Sequence, residues 1–150
     1  MADNTIRTVP PTLEPIHPTF WPRPKGFANG MLSLGHGERV LFVAGQVGWE
    51  PDGTFTSDEL TVQFARALDN VLAVVTAAGG GVASIARMTI YVTDLAAYRA
   101  GTSAIGEAWR ARLGRHYPAM ALVGVVGLVE PRAKVEIEAT CVLSPFTEGA

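Results

Sequence analysis

Two carboxylates stand two residues apart near the end of the chain, in RAKVEIEATCVL, residues 132–143. Glu136 and Glu138 share one face of an alternating pattern with Lys134 and Thr140, while Val135, Ile137, Ala139 and Cys141 share the other. On a solvated sheet face such carboxylates interact only with water and nearby cations. Inside a pocket, desolvation raises a carboxylate's pKa, and the group can then move protons to and from a water near neutral pH. The spacing alone leaves both readings open. Cys141 lies on the apolar face and reads as a packed thiol, not a nucleophile. His36 has no His, Cys or acid at metal-ligand spacing, so it reads as a turn residue and no metal site is expected.

The elements that would position these groups follow from periodicity. Met31–Leu34 and Arg39–Ala44 read as the arms of a hairpin, with Gly35–Glu38 between them. Thr56 and Glu59 form a capping-box pattern ahead of Leu60, Phe64, Leu68, Val71, Leu72 and Val75, which recur at helical spacing. Gly79 is the expected left-handed stop. A strand over Ile85–Val92 follows, then a helix capped by Thr93 or Asp94. That helix buries Tyr98, Ile105, Trp109 and Leu113 and ends at Gly114. YPAMALVGVVGLV, residues 117–129, reads as an apolar strand, and EPRA turns it into the final one. The order β-β-α-β-α-β-β predicts a single α+β domain, a mixed sheet with two helices on one face. Strands apolar on both faces require cover on the second face as well. No further layer remains in the sequence, so a second copy of the chain is the expected cover.

A length of 150 residues suits one domain. The net charge of -2, with scattered Arg and Lys, carries no nucleic-acid footprint. No apolar run approaches the roughly 20 residues of a membrane span, so no membrane partner is expected. Residues 1–23 read as a Pro-rich arm without the pattern of a signal peptide, running extended over the surface, with His17 solvated and Phe20 and Trp21 docking its later part. Residues 24–145 form the domain and 146–150 a tail. The single cysteine precludes an intrachain disulfide and suits a reducing, cytoplasmic setting.

PKGFANGM, LFVAGQVG, IARMTIYVTDL, HYPAMALV and AKVEIEAT occur in an order and spacing that resemble the Rid family of reactive-intermediate (enamine/imine) deaminases, also labelled L-PSP. The resemblance spans roughly residues 24–143. It implies a chorismate-mutase-like fold, a homotrimeric barrel built from three sheets, and small-molecule pockets in the clefts between subunits. It also implies hydrolysis of 2-enamines and 2-imines to keto acids and ammonia without metal or cofactor. Some members carry a ribonuclease label, which the acidic balance here does not support.

Carried over by position, the resemblance makes Glu136 the water-handling carboxylate and leaves Glu138 as a rim or ion-pair residue, with Lys134 or Arg132 as partners. Phe27 replaces a pocket-rim tyrosine and loses its hydroxyl. Gly45 and Gln46 stand in the loop that approaches the ligand, Tyr91 at an aromatic wall, and Leu122 beside the substrate. The family's substrate-carboxylate arginine corresponds to Met120, which has no bidentate fork to offer an imino acid. Trp49 either covers its own hairpin or lines the cleft, and His116 and Tyr117 read as structural. Two functional classes follow: a deaminase-like hydrolase or tautomerase acting on substrates without that carboxylate, or a non-catalytic trimer that holds a metabolite or a partner protein.

Overall fold

The computed structural model describes residues 12–146. The first eleven residues of the Pro-rich arm and the last four of the tail lie outside the described part. The described elements run β1 (Leu13–Ile16), β2 (Gly30–Ser33), β3 (Arg39–Val47), α1 (Leu60–Ala77), β4 (Ile85–Val92), α2 (Leu95–Ala100), α3 (Thr102–Leu113), β5 (Ala119–Gly124) and β6 (Val135–Leu143). They form one sheet in the order β1-β2-β3-β6-β4-β5, in which only β4 and β5 pair in parallel. The last strand, β6, is inserted antiparallel between β3 and β4, which α1 connects. The chain's final alternating segment therefore lies at the centre of the sheet, and Glu136 with it.

The helices cover one face. Phe64, Leu68, Val71, Val74 and Val75 of α1 pack on Leu41 and Val43 of β3 and on Val135, Ile137 and Cys141 of β6. Ile105, Trp109 and Leu113 of α3 close the same core. Full burial pushes the Cys141 thiol up to about 11, so it is a packed neutral group. α1 is long and apolar enough to approach a bilayer span, but half of it is buried against this sheet. The opposite face carries Met31, Phe42, Thr89, Tyr91, Val123, Glu138 and Val142, and no element among the described residues covers it.

Several boundaries differ from the sequence expectation, each for a local reason. Part of the arm is a strand: β1 pairs along its whole length with β2, and Ile16 is 9 % exposed within the core. Pro15 is tolerated because β1 is an edge strand. His17 is not solvated; it is partly buried and accepts a hydrogen bond from Asn29 Nδ2 at 3.2 Å. The Thr56 capping box does not form. Ser57 Oγ takes the Glu59 N–H instead, and the helix starts at Leu60. Gly79 ends α1 with φ +84° and Asp94 caps α2 through the Ala97 N–H, both as expected. The second helix is broken at Gly101, where a Cβ would come within 2.7 Å of Thr61 on α1. β5 stops at Gly124, short of the predicted end at Val129, because its partner β4 ends opposite it at Val92.

Candidate active site around Glu136

Between Val43 and Gln46 the ladder of β3 against β6 slips, so that Ala44 and Gly45 together face Glu138. This bulge breaks the alternation of β3 and brings the Gly45 backbone against the neighbouring Glu136 side chain. A Cβ at Gly45 would lie 2.8 Å from Glu136 Cδ, so only glycine lets the carboxylate rest there. The bulge also turns Gln46 inward, where it is 3 % exposed and its Nε2 donates to Ala44 O.

Glu136 faces a hollow of about 400 Å3, whose walls include Phe27, Gly45, Gln46, Val47 and Trp49. The loop after β5 borders it at Val129 and Glu130. The carboxylate of Glu136 is half-buried, and no lysine or arginine pairs with it among the described residues. Burial therefore raises its pKa above the ordinary glutamate value, and the like charge of Glu138 adds to the shift. A carboxylate held in this way is a stronger base once ionised and still reaches water.

Two buried amides on α1 hold this site in shape. Asn70 Nδ2 donates to Val47 O and Trp49 O, both at 2.9 Å, and so fixes the segment that carries Trp49. Gln63 Nε2 donates to Ser57 O and Arg132 O, and its Oε1 accepts the Lys134 N–H at 2.7 Å, which anchors the entry to β6. The sequence reading missed both. Their signal was available: polar residues seven apart on the stripe that also carries Phe64, Ala67, Val71 and Val74. Asn29 and Glu130 were missed as well, because they reach the hollow from opposite ends of the chain and no local pattern links them to Glu136.

Residues 32–143 match the sequence profile of the Endoribonuclease L-PSP family, three-quarters of the chain. The chain belongs to this family. Among its relatives, the 2-iminobutanoate/2-iminopropanoate deaminase of Salmonella typhimurium is 32 % identical over 69 % of this chain and 79 % of its own length. The RutC family protein y4sK of Sinorhizobium fredii is 31 % identical over 88 % of this chain and 99 % of its own. The structure of Escherichia coli TdcF with bound serine superimposes with a TM-score of 0.71 at 30 % identity, covering 87 % and 99 %. The resemblance to the Rid, or L-PSP, family is thus borne out.

Not every residue singled out in this L-PSP chain converges. Phe27, Gly45, Gln46 and Glu136 line one hollow. Trp49 lines it too, and its ring also lies 6.4 Å from Phe55. Tyr91 is the ladder partner of Glu136 but lies on its other side, where its hydroxyl donates to Glu138 Oε1 at 2.8 Å. That hydrogen bond raises the Tyr91 pKa. It also replaces the expected partner of Glu138, since Arg132 pairs with Asp58 at 2.9 Å instead. Met120 and Leu122 stand beside Met88 and Ile90, on the helix face of the edge strand β5. Leu122 packs on the core and Met120 is 44 % exposed, so neither enters the Glu136 hollow of its own chain. His116 is structural: its Nε2 donates to Ile85 O and its carbonyl accepts the Trp109 Nε1–H. Tyr117 stacks on Trp109 at 6.0 Å.

Proposed function

We propose that this chain hydrolyses an imine or enamine to a carbonyl compound and ammonia, with Glu136 as the base. The observation that carries this reading is the half-buried Glu136 carboxylate lying over Gly45, in a hollow lined by no cation. In the proposed step, a water oxygen bonds to the imine carbon as Glu136 accepts a water proton. Glu136 returns that proton to the nitrogen. Glu136 then takes the hydroxyl proton of the resulting carbinolamine and passes it to the nitrogen as the C–N bond breaks; the bonding electron pair leaves with ammonia, and the carbon keeps the oxygen as a carbonyl. The names of the relatives support the reaction class. Met120, at the position of the family's carboxylate-binding arginine, supports a substrate without the 2-imino acid carboxylate. A phosphodiester backbone, by contrast, fits poorly into a hollow holding two carboxylates and no lysine or arginine.

The working unit in this reading is a homotrimer. The uncovered sheet face supports it: Phe42 is 52 %, Val123 41 % and Val142 40 % exposed there, and a second chain over that face would remove these side chains from water. The exposed Met120 at the free edge of β5 would then be open to a neighbouring subunit's cleft. A trimer that holds a metabolite without converting it is the alternative, and it draws on the same missing arginine.

The test couples an amine or amino-acid oxidase, which releases the imine, to semicarbazide trapping. Glu136→Gln keeps the shape and removes the base, and activity should fall by roughly 10²–10⁴-fold. Gly45→Ala should displace the carboxylate while sparing the fold, lowering activity by about 10- to 100-fold. Unchanged turnover in Glu136→Gln would remove Glu136 from the mechanism. Absence of turnover on every imine would favour the binding protein.

A further inference from the structure

A second hollow of about 240 Å3 adjoins the Glu136 hollow, and Phe27, Asn29 and Trp49 line both. The far walls of the second are Trp21, Pro22 and Pro24, from the segment after β1, and Pro51, from the turn after Trp49. This wall is anchored. β1 is paired to β2, Ile16 and Pro18 are buried, and the Trp21 N–H donates to Pro18 O at 3.1 Å. Covering the core accounts for part of the Trp21 ring, which is only partly buried against it. The rest faces the second hollow.

Charge and shape divide the two spaces. The first holds Glu136 and Glu130 without a lysine or arginine, so an anion would meet two carboxylates and a cation would be attracted by both. The Phe27 and Trp49 rings add to this preference, since aromatic faces attract cations. The second hollow holds Arg23 and Asp52, which offset one another, and is otherwise walled by indole and proline surface suited to a flat apolar group.

Building on the reaction proposed above, we infer that the substrate is a protonated imine carried on an aromatic body. Its nitrogen end sits beside Glu136 and Glu130, and its ring reaches past Trp49 to Trp21. The overall change balances as iminium plus water giving carbonyl compound plus ammonium. Trp21 and Trp49 then set specificity, and the segment after β1 is part of the site.

Benzamidinium is a stable probe of this arrangement, a protonated C=N group on a ring that does not turn over. Acetamidinium lacks the ring, and benzoate reverses the charge. Calorimetric titration of the full chain should give benzamidinium an affinity at least about tenfold above each of the other two. Trp21→Ala should lower the ratio of benzamidinium to acetamidinium affinity by about tenfold, and Trp21→Phe, which keeps a ring, by less than about threefold. Glu130→Gln should weaken both amidinium ions by about fivefold, and less at high salt. Benzoate binding as tightly as benzamidinium would overturn the inference, as would an affinity ratio indifferent to Trp21→Ala. The imine-trapping assay fails separately: Glu136→Gln with full turnover would refute the proposed chemistry while leaving the ligand class standing.

Discussion

The two faces of the sheet are built from the same strands and have opposite characters. On the helix face, Leu41, Ile137, Cys141 and Val135 are fully buried against α1, and the polar groups admitted there, Gln63 and Asn70, are hydrogen-bonded. On the other face, Phe42, Glu138, Tyr91 and Val123 have no layer above them among the described residues, and Glu136 stands where that face meets the hollow. The first face determines whether the chain folds. The second carries groups that cost stability unless something else, a ligand or another chain, uses them. Glu136 is the plainest case, because a carboxylate desolvated without a cation beside it destabilises the fold that holds it.

Substitutions on each face sharpen this contrast. Phe64, 1 % exposed at the centre of the helix face, should be the most costly to shorten. Phe64→Ala is expected to lose about 3–5 kcal/mol in denaturant unfolding. A loss below about 1 kcal/mol would mean that the core is elsewhere. Phe42, its counterpart on the open face, should behave differently. Phe42→Asp should leave secondary structure intact but weaken subunit association by on the order of 2 kcal/mol, read by sedimentation across a dilution series. If the variant and the parent sediment identically at every concentration, the open face is not an interface.

The link between the faces is Asn70. Asn70→Ala leaves Val47 O and Trp49 O without their donor and should cost about 1–3 kcal/mol. It should also loosen the Trp49 wall, visible as a shift in tryptophan emission. Asn70→Asp, which cannot donate, should do the same, so a tolerant response to both would dissociate Trp49 from α1.

The smallest effect is the most specific. The Glu136 pKa is raised in the folded chain, so the favourable state is the protonated one, fully present below the unfolded value and lost as pH rises through the folded value. Glu136→Gln should therefore raise the melting temperature slightly, by no more than about 2 °C at pH 7–8, because solvent still reaches and screens the carboxylate. The gain should vanish below about pH 4, where both forms are neutral. Any hydrolytic activity should run the other way, falling as the pH drops through that raised value, because the base must be ionised. A lower melting temperature for Glu136→Gln at neutral pH would mean that the carboxylate is stabilised by a contact other than those described.

The sequence determined what local patterns determine. Alternation in VEIEATCVL made a strand with two carboxylates on one face, and helical spacing from Leu60 to Val75 made α1 with a buried stripe. Gly79 and Asp94 ended and began helices because φ and capping are decided within a few residues. The family was legible for the same reason, as five short motifs in order. Contacts between distant segments were decided only by the tertiary structure. Six prolines hid β1, whose partner β2 lies some fifteen residues away and whose Ile16 is buried only because that ladder forms. No pattern in β3 announced the bulge that brings Gly45 under Glu136, since a bulge is a relation between two strands. Phe27, Trp49, Glu130 and Glu136 share a hollow although up to 109 residues separate them, and Met120, on the helix face of β5, faces away from it. Periodicity fixes the direction of a side chain relative to its own element. Which neighbours it meets depends on how the elements pack, and it is packing that turned one of two adjacent glutamates into a desolvated carboxylate and the other into a hydrogen-bond acceptor for Tyr91.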